Sequence, residues 1–218
     1  TSIKQTSAIR YSDEAYFFGG LHMRIGRSIR VVTDLNRDNP FMNDGTKRRY
    51  MISIYYPPSN VDTEHEPVYP ELFHPGEKTA TDFFKNFGID FTYLNSLKTN
   101  VYNNADITEE GVYPVIIYSP AFGIERDMYW FNISNLVTNG FIVLTVGATY
   151  DSVFTVFPDG HCVKQSEVLS ELGNTDFEGW QSLLEIRTQD ICYLLDKLPE
   201  LNSSDELLKS KLNLKKIG

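Results

Sequence analysis

The stretch from Tyr113 to Gly123, YPVIIYSPAFG, joins an uninterrupted apolar run to an abrupt stop. A run without polar alternation is typical of a strand covered on both faces, as in a parallel sheet. Pro120 cannot donate a backbone hydrogen bond to a sheet, and Gly123 tolerates backbone angles that other residues resist. We therefore expect the chain to turn at the carboxyl end of this strand, which is the edge of a parallel sheet where ligands bind.

The composition is that of a globular protein with an acidic balance. The chain has 218 residues, 41% of them hydrophobic, so it can bury a sizeable core. This length predicts one domain, and an incomplete domain fits equally well. The formal net charge is −9, and the densest basic run is only Lys47 to Arg49. Nucleic acid is not expected as a partner, because phosphate binding needs a clustered basic face.

Targeting and cysteine signals are sparse. No apolar run approaches the roughly 18 residues of a membrane span, so no transmembrane segment is expected. Cys162 and Cys192 lack the spacing of a metal-binding pair, and two free thiols are favoured over a disulfide. Glycosylation sequons begin at Asn132 and Asn202. They favour a secreted protein but do not by themselves determine the compartment.

The amino-terminal third has the pattern of an antiparallel hairpin. Residues 25–34 and 48–56 alternate apolar with polar side chains, and the segment between them is rich in Asn, Asp, Pro and Gly. Pro57 and Pro58 are expected to end the second strand.

Residues 57–111 form a long excursion with helical spacing around Phe83, Phe84 and Phe87. Long ordered excursions are often lids or binding loops, whereas aromatic clusters at helical spacing are usually core. We expect either a lid-like element or an insertion packed on the sheet edge.

From residue 113 onward the pattern changes to alternating strands and helices. A helical stripe follows the 113–119 strand and stops at Asn139-Gly140, and FIVLTVGA at 141–148 is a second apolar strand. Strand, helix and strand in this order predict a βαβ unit with parallel pairing and a right-handed crossover.

A second long helix is predicted over Asp176 to Leu198, ended by Pro199 and Asn202. Arg187 and Asp190 lie on this helix and could pair with loop groups, although the simplest interpretation is a surface helical pair that contributes little to stability. The final LNLKKIG begins like a further buried strand. The sequence thus predicts a hairpin, then βαβαβ, with an unfinished sheet.

Four segments together resemble the amino-terminal part of an α/β-hydrolase, in the branch of platelet-activating factor acetylhydrolase and related esterases. The segments are DLNRDNPF with RRYMISIYYP, YPVIIYSPAFGIERD, LVTNGFIVLTVGATYDSVFTVFPDG, and RTQDICYLLDKL before LNLKKIG. The resemblance covers most of the chain outside residues 57–100. It implies an α/β-hydrolase fold: a mostly parallel sheet with an amino-terminal antiparallel hairpin, incomplete in this chain. Residues 1–218 would form the first half of one domain.

The resemblance also gives the apolar turn a role. In the family this turn commonly reads Ser-His-Gly-hydrophobic-Gly, and here Pro120 and Ala121 replace the His and the first Gly. In such folds the turn supplies one backbone N–H of the oxyanion hole, and the other comes from the residue after the nucleophile. By position the donor is Phe122. An apolar turn without catalytic role is the alternative.

Other residues are expected near the substrate. Ala121 and Gly123 flank the donor. Tyr150 and Asp151 end the second parallel strand, although Asp151 could equally cap a helix or turn. Tyr129 begins the helix after the turn and could form a wall of the acyl pocket, although core packing is more common for such aromatics.

The nucleophile itself is not found in residues 1–218. Acyl transfer of this kind uses a serine in a G-x-S-x-G elbow, followed by an acid and then a histidine. Ser119 lies between Tyr118 and Pro120, without the small neighbours that such an elbow needs. Each histidine precedes any position for an elbow, which argues against His22, His65, His74 and His161 as the triad base. We expect the elbow just beyond LKKIG, in a carboxyl-terminal half supplied by missing residues or by a second chain.

The first hypothesis is therefore a serine esterase or lipase-like hydrolase of short acyl esters or lipids, which needs no metal or organic cofactor. The second is a noncatalytic binding protein on a hydrolase scaffold, because one fold hosts many functions. A third is another hydrolase chemistry on the same scaffold, such as dienelactone or peptide hydrolysis.

Overall fold

The computed structural model describes residues 23–173 and 175–218. The strands of these residues are β1 (Ile25–Asp38), β2 (Lys47–Tyr56), β3 (Pro58–Asn60), β4 (Val101–Asn103), β5 (Asp106–Ile107), β6 (Tyr113–Tyr118), β7 (Ile142–Val146), β8 (Phe154–Val156), β9 (Cys162–Lys164) and β10 (Leu212–Ile217). The helices are α1 (Glu77–Lys85), α2 (Phe91–Ser96), α3 (Trp130–Thr138), α4 (Glu167–Ser170) and α5 (Phe177–Ser204), with a 3-10 helix at Tyr69–Phe73. None of the helices in these ranges is long and apolar enough to cross a membrane.

Six strands form the main sheet in the order β10-β6-β7-β2-β1-β4. Strands β10, β6 and β7 run parallel to one another, β1 and β4 are also parallel, and β2 is antiparallel to both of its neighbours. The expected hairpin is confirmed as β1 and β2, paired from Gly26 with Tyr56 onward. β1 extends to Asp38, so the connection is shorter than its turn-rich sequence suggests.

Helices cover both faces of the sheet, which is why β7 is buried along its whole length. Ile54 and Leu144 pack with Leu198 of α5 on one face. Their neighbours Tyr55 and Val143 pack with Ile133 and other residues of α3 on the opposite face. Alternate side chains of a strand face opposite sides, so an uninterrupted apolar strand serves two cores.

The long helix α5 does not end where the sequence pattern predicts. It runs from Phe177 to Ser204 with Pro199 inside it. Proline removes one intrahelical hydrogen bond, but Leu198 is fully buried on the sheet and Leu201 packs beside it. Burial of these side chains on either side of Pro199 holds the helix together, so the prediction of a break there was wrong.

The 57–111 segment packs along one edge of the main sheet. Its strand β4 pairs with the outer side of β1, at Ile25 with Val101. Phe83 and Phe84 pack in the α3-side core with Phe73 and Phe154. The segment therefore contributes both an edge strand and core side chains.

Candidate active site

The turn that follows β6 has a free backbone amide. The Ile124 N–H donates to the Ala121 carbonyl at 3.1 Å, and Gly123 has a φ of +73°. A positive φ at the third position is the mark of a type II turn, which explains the glycine. Among the described residues, the Phe122 N–H has no hydrogen-bond partner. The turn thus leaves the Phe122 N–H without a partner at the carboxyl edge of the parallel strands.

Asp151 holds this turn from the loop after β7, which ends at Val146 and not at Tyr150 and Asp151 as expected. Its Oδ1 accepts the Gly123 N–H at 3.0 Å, and its Oδ2 accepts Arg187 Nε at 2.5 Å. The carboxylate is almost fully buried. Gly123 and Asp151, both expected near the substrate, are thus in direct contact, and the Gly123 amide is occupied rather than free.

Arg187 is part of the same arrangement. Its Nη1 donates to the Pro120 carbonyl at 2.6 Å and its Nη2 to the Ala121 carbonyl at 3.3 Å. The simplest interpretation, a surface pair between Arg187 and Asp190, was wrong, and the alternative of a pairing with loop groups is confirmed for Arg187. Asp190 is 1% exposed and binds Arg48 at 2.7 Å and Arg37 at 2.5 Å instead. Helical spacing placed the two residues together but could not show which loops and strands pack over them.

The two tyrosines face different surroundings. Tyr150 has a φ of +74°, and its ring stacks on Phe41 with centroids 5.1 Å apart. Tyr129 precedes α3, and its ring lies 5.5 Å from that of Tyr118 in the α3-side core. The Phe122 ring packs edge-to-face on Trp180 of α5, with the ring centroids 4.8 Å apart. Of these aromatic rings, Phe122 and Trp180 lie at the turn itself.

A buried ionic network, which the sequence analysis missed, lies directly after the turn. Asp127 accepts hydrogen bonds from Arg27 at 2.6 Å and Tyr55 at 2.7 Å, and Glu125 accepts from Arg126 at 2.7 Å and from the Asp127 N–H at 2.7 Å. The signal was available in the sequence as three consecutive charged residues, Glu125 to Asp127, after an apolar turn. These contacts tie the turn to β1 and β2.

Burial shifts the two carboxyl groups in opposite directions. Desolvation raises the pKa of Glu125 to about 7, with Arg126 opposing the shift and Asp127 adding to it. Burial alone would raise the pKa of Asp127 too, but the charges of Arg27 and Arg126 lower it below its usual value. The network therefore carries one firmly ionised carboxylate and one that titrates near neutral pH.

No complete triad is found in residues 23–173 and 175–218. His65 and His74 bind Glu71 and Glu77 on the 57–111 segment, and no described histidine ring bonds a serine hydroxyl. His161 is exposed, and His22 lies outside the described residues. The described residues also contain no cluster of side chains suited to a metal ion. Cys162 and Cys192 are unpaired, as expected, but both are exposed rather than buried or half-buried.

Comparison with known proteins identifies the family. The family model described as "Platelet-activating factor acetylhydrolase, isoform II" matches residues 37–213. The chain belongs to this family. The match covers the end of β1, all of β2, the turn after β6 and the start of β10, and it confirms the expected resemblance. No curated protein matches the chain.

A solved structure supports the same fold for this family member. A ferulic acid esterase from Streptomyces cinnamoneus is similar to it with a TM-score of 0.67 and 20% sequence identity, over 90% of this chain and 51% of the esterase. At this level of identity the similarity concerns the fold. The chain spans about half the length of that esterase and has the α/β-hydrolase architecture.

Proposed function

We propose that the protein is a serine hydrolase that cleaves carboxylic esters through an acyl-enzyme, with the Phe122 N–H as one donor of its oxyanion hole. Membership of an acetylhydrolase family and the fold of an esterase support hydrolysis of a small ester or lipid with a short acyl group. No cofactor is needed, because water deacylates the enzyme after the covalent step.

The unpaired Phe122 amide is the observation that carries the proposal. An oxyanion hole needs donors that are already oriented when negative charge develops on the carbonyl oxygen. The neighbouring amide, on Gly123, is taken by Asp151, and the carbonyls of Pro120 and Ala121 are taken by Arg187. The Phe122 N–H is thus held in a fixed turn and is available to a ligand. Ala121 and Tyr129 complete the proposed surroundings of the substrate, with Tyr150 beside Asp151.

The register of β10 supports the proposed position of the nucleophile. Gly218 lies beside β6, where its N–H donates to Val115 and its carbonyl accepts from Ile117, both at 2.9 Å. Because the two strands are parallel, residues continuing from Gly218 would run beside Ser119 and Pro120. We place the first glycine of a G-x-S-x-G elbow at Gly218, so that the serine would stand next to the oxyanion turn. The acid and histidine would come from the same carboxyl-terminal half, and residues 1–218 would form the first half of the domain.

A fluorophosphonate probe tests this function. Full-length folded protein is labelled, and the adduct is located by peptide mass spectrometry. We expect one modified serine, carboxyl-terminal to residue 218, and loss of labelling after preincubation with a short-chain ester. Folded protein that neither labels nor hydrolyses p-nitrophenyl acetate would refute the proposal and favour a noncatalytic binding protein on the same scaffold.

A further inference from the structure

We infer that Asp151 and Arg187 act together as positioning residues that hold the oxyanion turn in its active form, an inference that rests on the proposed function. Neither residue would touch the reacting atoms. Their role would be to fix the direction of the Phe122 N–H. They are referred to below as the turn clamp.

The contacts of the turn clamp converge on the residues around the donor. Arg187 binds the carbonyls of Pro120 and Ala121, and Asp151 binds the amide of Gly123. Together they engage every residue from 120 to 123 except Phe122. An ion pair that only joined a helix to a loop would not need to bond the backbone on both sides of the Phe122 amide.

The two side chains also orient each other. Arg187 Nε lies 2.5 Å from Asp151 Oδ2, while the second carboxylate oxygen is committed to the turn. The Arg187 side chain is 14% exposed and the Asp151 side chain 2%. A planar guanidinium presents its N–H groups in a rigid fork and can serve one carboxylate and two carbonyls from fixed directions, whereas lysine carries its three donors on one nitrogen at the end of a flexible chain.

Hydrogen bonds from neighbouring residues also constrain the backbone of Tyr150 and Asp151. Tyr150 adopts a left-handed φ of +74°, which is unfavourable for a residue with a side chain. The Ser166 N–H donates to the Tyr150 carbonyl at 2.7 Å, and Gln165 Nε2 donates to the Asp151 carbonyl at 2.8 Å. Strained backbone persists where surrounding contacts over-determine it, and it is concentrated at functional sites.

Conservative variants separate positioning from folding. Arg187→Lys keeps the charge but cannot bind both carbonyls, and Asp151→Asn keeps an acceptor for Gly123 but loses its charge. Arg30→Lys is the matched control, because Arg30 makes a similar ion pair from a strand to Asp205 at the far end of α5, at 2.7 Å. All three are made in the full-length protein, and kcat and KM are measured with p-nitrophenyl acetate.

We expect both clamp variants to lower kcat by about tenfold to a hundredfold, because small displacements of an oriented group cost that much. KM should stay unchanged, and the control should match the wild type. Hydrogen exchange should rise in the peptide that covers residues 119–124 and not across the sheet. Unchanged kcat in both clamp variants, or exchange that rises equally throughout the protein, would overturn the inference.

The exchange measurement keeps the two proposals distinguishable. A wild-type protein without activity or labelling would defeat the proposed function. Faster exchange of the turn in the clamp variants would still show that the two side chains hold it. An active wild type with unaffected clamp variants would instead defeat the inference alone.

Discussion

The proposed stabilisation of the oxyanion depends on one backbone N–H of the described residues, that of Phe122. The turn Ala121–Ile124 has type II form, and the second position of such a turn has a φ near −60°, where proline is favoured. Phe122→Pro therefore removes the N–H while keeping the turn. We expect kcat for an ester substrate to fall by about a hundredfold to a thousandfold, the usual cost of losing one oxyanion donor.

Phe122→Ala is the control for that experiment. It loses the ring and its contact with Trp180, as the proline variant does, but it retains the amide. Steady-state kinetics of the two variants should differ mainly in kcat. Equal kcat values for the proline and alanine variants would show that the Phe122 N–H does not serve the transition state.

Glu125 gives the protein a pH-dependent stability. Burial raises its pKa in the folded state from the ordinary 4.5 to about 7. Below pH 4.5 Glu125 is protonated in both the folded and the unfolded state. As the pH rises from 4.5 towards 7, Glu125 loses its proton in the unfolded state but keeps it in the folded state. The contribution of Glu125 to the free energy of unfolding is therefore full at low pH and is lost as the pH rises through 7.

Glu125→Gln removes this titration. Glutamine resembles the neutral, protonated form that Glu125 has at pH 5, so we expect the free energies of unfolding of the variant and the wild type to lie within about 1 kcal/mol of each other at that pH. As the pH rises towards 8, the wild type should lose stability relative to the variant. Urea denaturation at pH 5, 6, 7 and 8 measures it. A constant difference across that range would mean that Glu125 is already ionised in the folded protein at pH 5.

At the scale of elements, Asp190 joins α5 to the hairpin. Its carboxylate binds Arg48 of β2 and Arg37 of β1, and both Asp190 and Arg48 are 1% exposed. Asp190→Ala leaves the Arg48 charge buried without its partner. We expect a loss of about 3–5 kcal/mol in the free energy of unfolding, measured by urea denaturation.

Asp196→Ala, at an exposed position of the same helix, provides the comparison. Exposed substitutions usually change stability by no more than about 0.5 kcal/mol. Similar effects of the two substitutions would show that helix propensity, rather than the buried ion pair, accounts for the loss.

The order of strands and helices was predictable from sequence because it depends on local periodicity. The apolar runs of β6 and β7 and the Asn139-Gly140 stop of α3 needed no distant information. The continuation of α5 through Pro199 and the pairing of Arg187 with Asp151 depend on residues far away in sequence. Such contacts override propensity, and no pattern within α5 records them.

The site was predictable to the same extent. The proximity of the turn and Asp151 could be expected because parallel strands bring their carboxyl ends to one edge, and the two are in contact through the Gly123 N–H. The network of Arg27, Asp127 and Tyr55 was not, since it joins β1, β2 and the turn across the interior. These buried charges are the part of the site that only the assembled sheet defines.

At the scale of the whole molecule, the question is whether residues 57–111 move as a lid or belong to the sheet. Arg27 of β1 binds both Asn103 of β4, at 2.8 Å, and Asp127, which follows the turn after β6, at 2.6 Å. The sheet edge and the site therefore share one buried side chain. Phe73 and Phe83, which belong to residues 57–111, pack on Phe154 of β8. Opening this segment would expose both the ion pair and the aromatic core.

Hydrogen exchange of the native protein distinguishes the two behaviours. We expect the β4 amides to exchange with nearly the same opening free energy as those of β1 and β2, because they share one cooperative unit. The small β3–β5 sheet, outside the main sheet, serves as an internal reference and should exchange earlier. Early exchange of β4, α1 and α2 together, while β1 and β2 stay protected, would instead identify residues 57–111 as a lid that opens independently. The lid would then be expected to close over bound ester, and exchange in these elements would slow when substrate analogue is added.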